Sequence, residues 1–155
     1  MHSYTEQDLL EANVNPKTGL ATDYLNLFNE AIMLFEMGLD MPDMAEELTE
    51  WAPHGYVEHF DKSGFEMKDI VIAAYADSPR ATRAAFDACC EKAQAVFASS
   101  IDILLSSNIH DDMARADLDS RLADMKSMVS EMDSHIHGRV KAGEDNPQSA
   151  VDALF

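Results

Sequence analysis

The chain predicts an all-α fold, a bundle of five to six helices with a long C-terminal antiparallel helical hairpin, on three observations. Apolar residues recur at helical spacing through three long stretches, 19–38, 78–107 and 111–137. Pro, Gly and short polar residues fall mainly at the borders of those stretches, where helices start and stop. Only Ile70-Val71-Ile72 resembles a strand nucleus, and it has no second strand to pair with.

One domain spanning 1–155 is expected, in four parts. Residues 1–18 hold a short helix near Thr5 to Ala12, with Thr5 and Asp8 spaced as a capping box, and then a turn-rich connector, Asn13 to Gly19. Residues 19–77 open with the most apolar helix, 19–38. Its stripe is Tyr24, Leu27, Phe28, Ala31, Leu34 and Phe35, widened by Leu25, Met33 and Met37, with Asp23, Asn26 and Glu30 as the one polar ribbon. Gly38 should end that helix, and Asp40 with Pro42 should restart another that runs to Trp51 and stops at Pro53. A compact segment, Gly55 to Lys62, follows, and then a helix from Lys68 to Ala76, where three alanines favour helix over strand.

Residues 78–138 form the hairpin. Ser78 and Pro79 look like the N-cap and first turn of a helix whose stripe is Phe86, Cys90, Ala93, Phe97, Ile101 and Leu104. After a short link at Asn108 to His110, a second helix carries Leu118, Leu122, Met125, Val129, Met132 and Ile136, the alternating spacing of four and three that seats one helix on another. Gly138 should close it. Residues 139–155 are a tail in which Asn146 to Phe155 could form one last capped turn, with Val151, Leu154 and Phe155 free to dock.

The 155 residues include 29 acids against 11 Lys and Arg, so the formal charge is 11 − 29 = −18. So few bases among so many acids cannot neutralise a phosphate backbone, which excludes nucleic acid as a partner, and an anionic membrane surface for the same reason. The longest apolar run, Ile70 to Ala76, is far shorter than the roughly 20 residues that cross a bilayer. The polar, acidic start does not resemble a signal peptide, and Cys89 and Cys90, adjacent on a helix, point about 100° apart and cannot bridge each other readily. A reducing, cytoplasmic setting is therefore expected.

Carboxylate-rich bundles invite a search for metal ligands. Di-iron bundles use Glu-x-x-His pairs on facing helices, and that spacing occurs before none of the six histidines. Looser ligand sets exist: Glu131 with His135 at i,i+4, and Glu58 beside His59 together with Glu30 on the polar ribbon. These five residues are the candidates for a divalent metal, although a solvated coat accounts for most of the other acids and no cofactor is expected. Trp51 to Phe60 concentrates the single Trp, two histidines, a Tyr and a Glu, the composition of a pocket wall or of core anchors at a bend. No nucleophile elbow or phosphate-cradling glycine loop is present. Met33, Met37, Met41 and Met44 are spaced 4, 4 and 3 apart, a pattern suited to filling core gaps or to a pliable contact surface.

These features together favour a non-enzymatic interaction or regulatory module, a homodimer or the partner of another protein. The alternatives are a metal-binding bundle and an acidic decoy for a basic partner surface.

Overall fold

The computed structural model describes residues 4–139, and the expected final turn with Val151, Leu154 and Phe155 lies outside them. The described residues form seven α-helices and two short 3-10 turns, and an isolated bridge between Val14 and Ala21 is the sole β-type pairing among them. The fold is all-α, with seven α-helices against the five or six expected; the compact segment Gly55 to Lys62 forms a helix of its own.

Helix α1, Glu6–Glu11, starts at the expected capping box: the Thr5 hydroxyl accepts from the Asp8 amide at 3.0 Å, and the Asp8 carboxylate accepts from the Thr5 amide at 3.0 Å. A 3-10 turn, Thr22–Tyr24, leads into α2, Leu25–Asp40. Gly38 was expected to stop this helix and does not. An added Cβ there would come within 2.7 Å of the Ala45 Cβ, so Gly38 serves the close approach of α3, Pro42–Ala45, to the end of α2. The stop comes three residues later at Met41, whose backbone is extended and is followed by Pro42. The expected helix from Pro42 to Trp51 is therefore α3 plus a 3-10 turn, Glu46–Glu50. After Pro53 come α4, Tyr56–Lys62, and α5, Lys68–Ala76, which contains Ile70-Val71-Ile72 as helix.

Helix α6, Arg80–Ser106, begins one residue later than a Ser78 cap requires. Pro79 is extended and occupies the position before the first turn, and the Ser78 hydroxyl instead donates to the Ala74 carbonyl at the end of α5, 3.1 Å away. Helix α7, Asp112–Ile136, is capped by the Asp111 carboxylate accepting from the Ala114 amide at 2.9 Å, and it ends where Gly138 adopts a left-handed φ of 73°.

Helices α6 and α7 pack on each other more extensively than any other pair, and α2 packs on both. All six residues of the expected α6 stripe are buried. On α7 the buried ridge is Leu118, Met125, Met128, Met132 and Ile136, while Leu122 and Val129 sit half-buried at its margin. The shift follows from geometry: α7 has two neighbours, so its buried sector extends beyond the seam of a two-helix pair. The N-terminal connector is tied into this core by the buried Thr18, whose hydroxyl donates to the Ile136 carbonyl at 2.6 Å. No helix among the described residues is long and apolar enough to cross a membrane.

Candidate functional site

Two regions stand out chemically, one where aromatic rings meet polar groups and one where apolar side chains meet solvent.

The first is the junction where Trp51 to Phe60 packs on the start of α2 and the middle of α6. Tyr24 is fully buried, with its ring edge-on to Phe28, Tyr56 and His59 at centroid distances of 5.3, 5.4 and 5.5 Å. Its hydroxyl donates to the His54 carbonyl at 2.7 Å and accepts from the Gln94 amide at 3.1 Å, and Gln94 also donates to the same carbonyl. The Tyr56 hydroxyl accepts from the Ala21 amide at 2.8 Å, and the Trp51 indole donates to the Leu27 carbonyl at 2.9 Å. Burial raises the pKa of both Tyr24 and Tyr56 well above the ordinary phenol range, so both stay neutral. Tyr75 stacks on Tyr56 at 4.9 Å and hydrogen-bonds the Asp87 carboxylate at 2.8 Å; burial and that carboxylate push it up to about 12. These polar atoms are spent on holding the bend against the bundle.

At the rim of the junction, His54 Nε2 and His59 Nδ1 lie 3.0 Å apart with the rings stacked. One ring must donate and the other accept, so at least one nitrogen of the pair is unprotonated. Partial burial and the neighbouring His54 both lower the pKa of His59, against an opposing contribution from the Asp23 main chain and its charge.

The five candidate ligands are distributed differently from a shared site. His59 faces His54 and Tyr24, whereas Glu58 points into solvent and pairs with Lys62 at 2.8 Å, which lowers its pKa. Glu30 is exposed on α2. On α7, Glu131 is exposed and His135 half-buried; burial lowers the His135 pKa while Glu131 raises it. Among the described residues no three His, Cys, Asp or Glu side chains converge in a way that could hold an ion. Cys89 and Cys90 are free and buried, with Cys89 pushed up to about 11 and Cys90 higher still, mainly by burial, so both behave as core fillers and not as nucleophiles.

The His54–His59 contact, the Gln94 bridge and the Tyr75–Asp87 bond were not foreseen. Gln94 carried the best signal available, a polar residue next to the Ala93 position of the α6 stripe, but its target is a main-chain carbonyl 40 residues away, which no local pattern specifies.

The second region is the end of the bundle where α2, α3, the start of α7 and the α6–α7 link come together. Arg115 holds it, reaching the Leu39 carbonyl at 3.2 Å and the Asp40 carboxylate at 3.4 Å. Met41 is 50% exposed, Leu105 39% and Met113 83%, and Met33, further back on α2, is 52% exposed. Met37 and Met44 are half-buried. A groove of about 250 Å³ runs between Pro42, Ala45 and Glu46 on one side and Leu104, Leu105 and Ile109 on the other.

Comparison with protein-family models, with curated proteins and with solved structures finds no match.

Proposed function

We propose that this chain is a non-enzymatic protein–protein interaction module that engages its partner through the methionine-rich edge of α2 and α3. The observation that carries this is the exposure of Met33 and Met41 beside a helix whose other face, from Leu25 to Leu39, is buried. Surface Met is costly to hydrate and cheap to repack, and a run of it beside a groove suits a contact that adapts to its partner. The buried tyrosines and cysteines support the same view from the other side, since they are held neutral and turned inward.

The test is photo-crosslinking of protein made with photo-methionine, in an extract of the cells that produce it. Discrete adducts mapped to Met33, Met41 or Met113, and lost in Met33→Lys/Met41→Lys, are expected. Adducts unaffected by that double substitution would overturn the proposal. Light scattering on the same samples separates a homodimer from a foreign partner.

A second reading, metal binding, is favoured by one contact. Two imidazole nitrogens 3.0 Å apart at a half-buried rim could share one divalent ion, with water or a partner completing the shell. Such a site would use His54 and His59 and not Glu30, Glu58, Glu131 or His135. Zinc titration monitored by the imidazole proton resonances, with His54→Ala as control, decides it: micromolar binding that vanishes in the variant supports it, and no saturable binding removes it.

A further inference from the structure

The groove at the methionine end has a mixed lining, in which Pro42, Leu104, Leu105 and Ile109 meet Ser107, Asn108 and His110, and its rim is strongly charged. Asp40, Asp43, Glu46, Glu47, Asp111 and Asp112 are all exposed on the elements that surround it. Arg115, in the first turn of α7, is engaged by Asp40, Asp119 and the Leu39 carbonyl. Asp43, Glu46, Glu47 and Asp112 enter no ion pair with the described residues. The apolar patch that Pro42, Leu104, Leu105 and Ile109 form beside this carboxylate rim is complementary to a segment that is apolar on one face and cationic at its edges.

We infer that this groove docks a basic amphipathic helix of another protein, with an apolar anchor of Leu, Met or Phe size seated between Pro42 and Leu105 and its Lys or Arg side chains on the acidic rim. The inference rests on the interaction-module reading and names the chemistry of the partner. A groove of about 250 Å³ matches one or two large side chains, which is how helix-in-groove recognition places its anchors. Leu105 lines it, and the exposed Met41 and Met113 lie within three residues in the chain of the lining residues Pro42 and His110, which offers further apolar contact to a docked helix. Two other occupants fit poorly on charge. A second copy meeting this end symmetrically would bring two identical acidic rims together, in a chain that already carries −18. The chain's own segment 140–155 has one Lys against three acids, so it would add negative charge to a negative rim. A cationic helix gains from both features, and the charge of the whole chain would steer it in, which makes association salt-sensitive.

The probe is a fluorescein-labelled peptide of Leu and Lys, about 18 residues or five turns long, patterned with Leu at i, i+3, i+4 and i+7. The same composition in scrambled order serves as the control. Fluorescence anisotropy on the full chain should show the amphipathic peptide binding at least about tenfold tighter than the scrambled one. Leu105→Glu, at a partly exposed position and with its fold checked by circular dichroism, should weaken it about tenfold. Glu46→Gln/Asp112→Asn should weaken it and flatten its salt dependence, whereas Glu66→Gln/Asp69→Asn, on the α4–α5 side, should leave it unchanged. Equal affinity for the two peptides, or equal weakening by the two acid pairs, would reduce the rim to a nonspecific coat and overturn the inference. Should the peptide fail while light scattering shows a dimer that Met41→Lys dissolves, the partner is a second copy: this inference fails and the interaction-module reading stands.

Discussion

The aromatic junction and the methionine end lie on the same bundle, and both draw on α2, yet they dispose of their side chains in opposite ways. At the junction, Tyr24, Tyr56, Trp51 and Gln94 turn their polar atoms inward and satisfy them within the chain. At the other end, Met41, Leu105 and Met113 turn apolar atoms outward with nothing among the described residues to cover them. The difference separates side chains whose polar groups hold the fold together from apolar surface left open to solvent. A region rich in Tyr, His and Trp resembles a pocket in sequence, but its groups have already found partners, whereas the plainer region has unused surface.

This comparison can be broken by mutation, and the largest effect is expected at the junction. Phe28 is fully buried against Tyr24 and Phe97, so Phe28→Ala should cost about 3–5 kcal/mol in urea unfolding. Met41→Ala, at the exposed end, should stay within about 0.5 kcal/mol. Comparable losses at both places would show that the methionine end is core and not surface.

Gly38→Ala should come next, at about 1–3 kcal/mol, because the new methyl group meets Ala45. The cost should be largely recovered in Gly38→Ala/Ala45→Gly, and no recovery would mean that α3 does not sit where Gly38 allows. Tyr24→Phe should cost about 1 kcal/mol. It removes one donor to the His54 carbonyl, and Gln94 continues to serve that oxygen.

The smallest effect is a pH dependence. Burial holds both His59 and His135 below the ordinary imidazole value of 6.5. The unfolded chain therefore takes up protons first, and the histidines' contribution to stability is present above about pH 6.5 and lost as pH falls through the lower folded values. Urea midpoints should fall between pH 7.5 and 5.5, a window that lies above the ordinary carboxylate range. The fall should be smaller in His59→Gln, which removes one of the two imidazoles whose pKa burial lowers. A midpoint that rises on acidification would contradict the assignment.

Much of the fold was legible because helices are specified locally. The Thr5 capping box, the α6 stripe from Phe86 to Leu104 and the Gly138 stop each depend on residues within a few positions of one another, and each is found as expected. Gly38 and Ser78 went the other way. Their side chains, or the lack of one, answer to Ala45 on the next element and to Ala74 on the previous one, and tertiary contact overrode the local cap signal. The metal candidates show a further limit. Adjacency placed Glu58 and His59 together, but successive helical residues diverge by about 100°, so one met Lys62 in solvent and the other met His54. The methionine spacing was visible, whereas its division into exposed Met33 and Met41 and half-buried Met37 and Met44 depended on where α3, α6 and α7 pack.

The central claim is that the methionine end is the docking surface, and the methionine methyl groups report on it directly. With the chain labelled at its methionine ε-carbons, titration with the basic amphipathic peptide should shift the methyl resonances of Met41, Met44 and Met113. Those of Met125 and Met132, fully buried at the α7 ridge, should stay in place. Saturable shifts confined to the first group are the predicted result, and shifts absent from that group at saturating peptide would contradict the account.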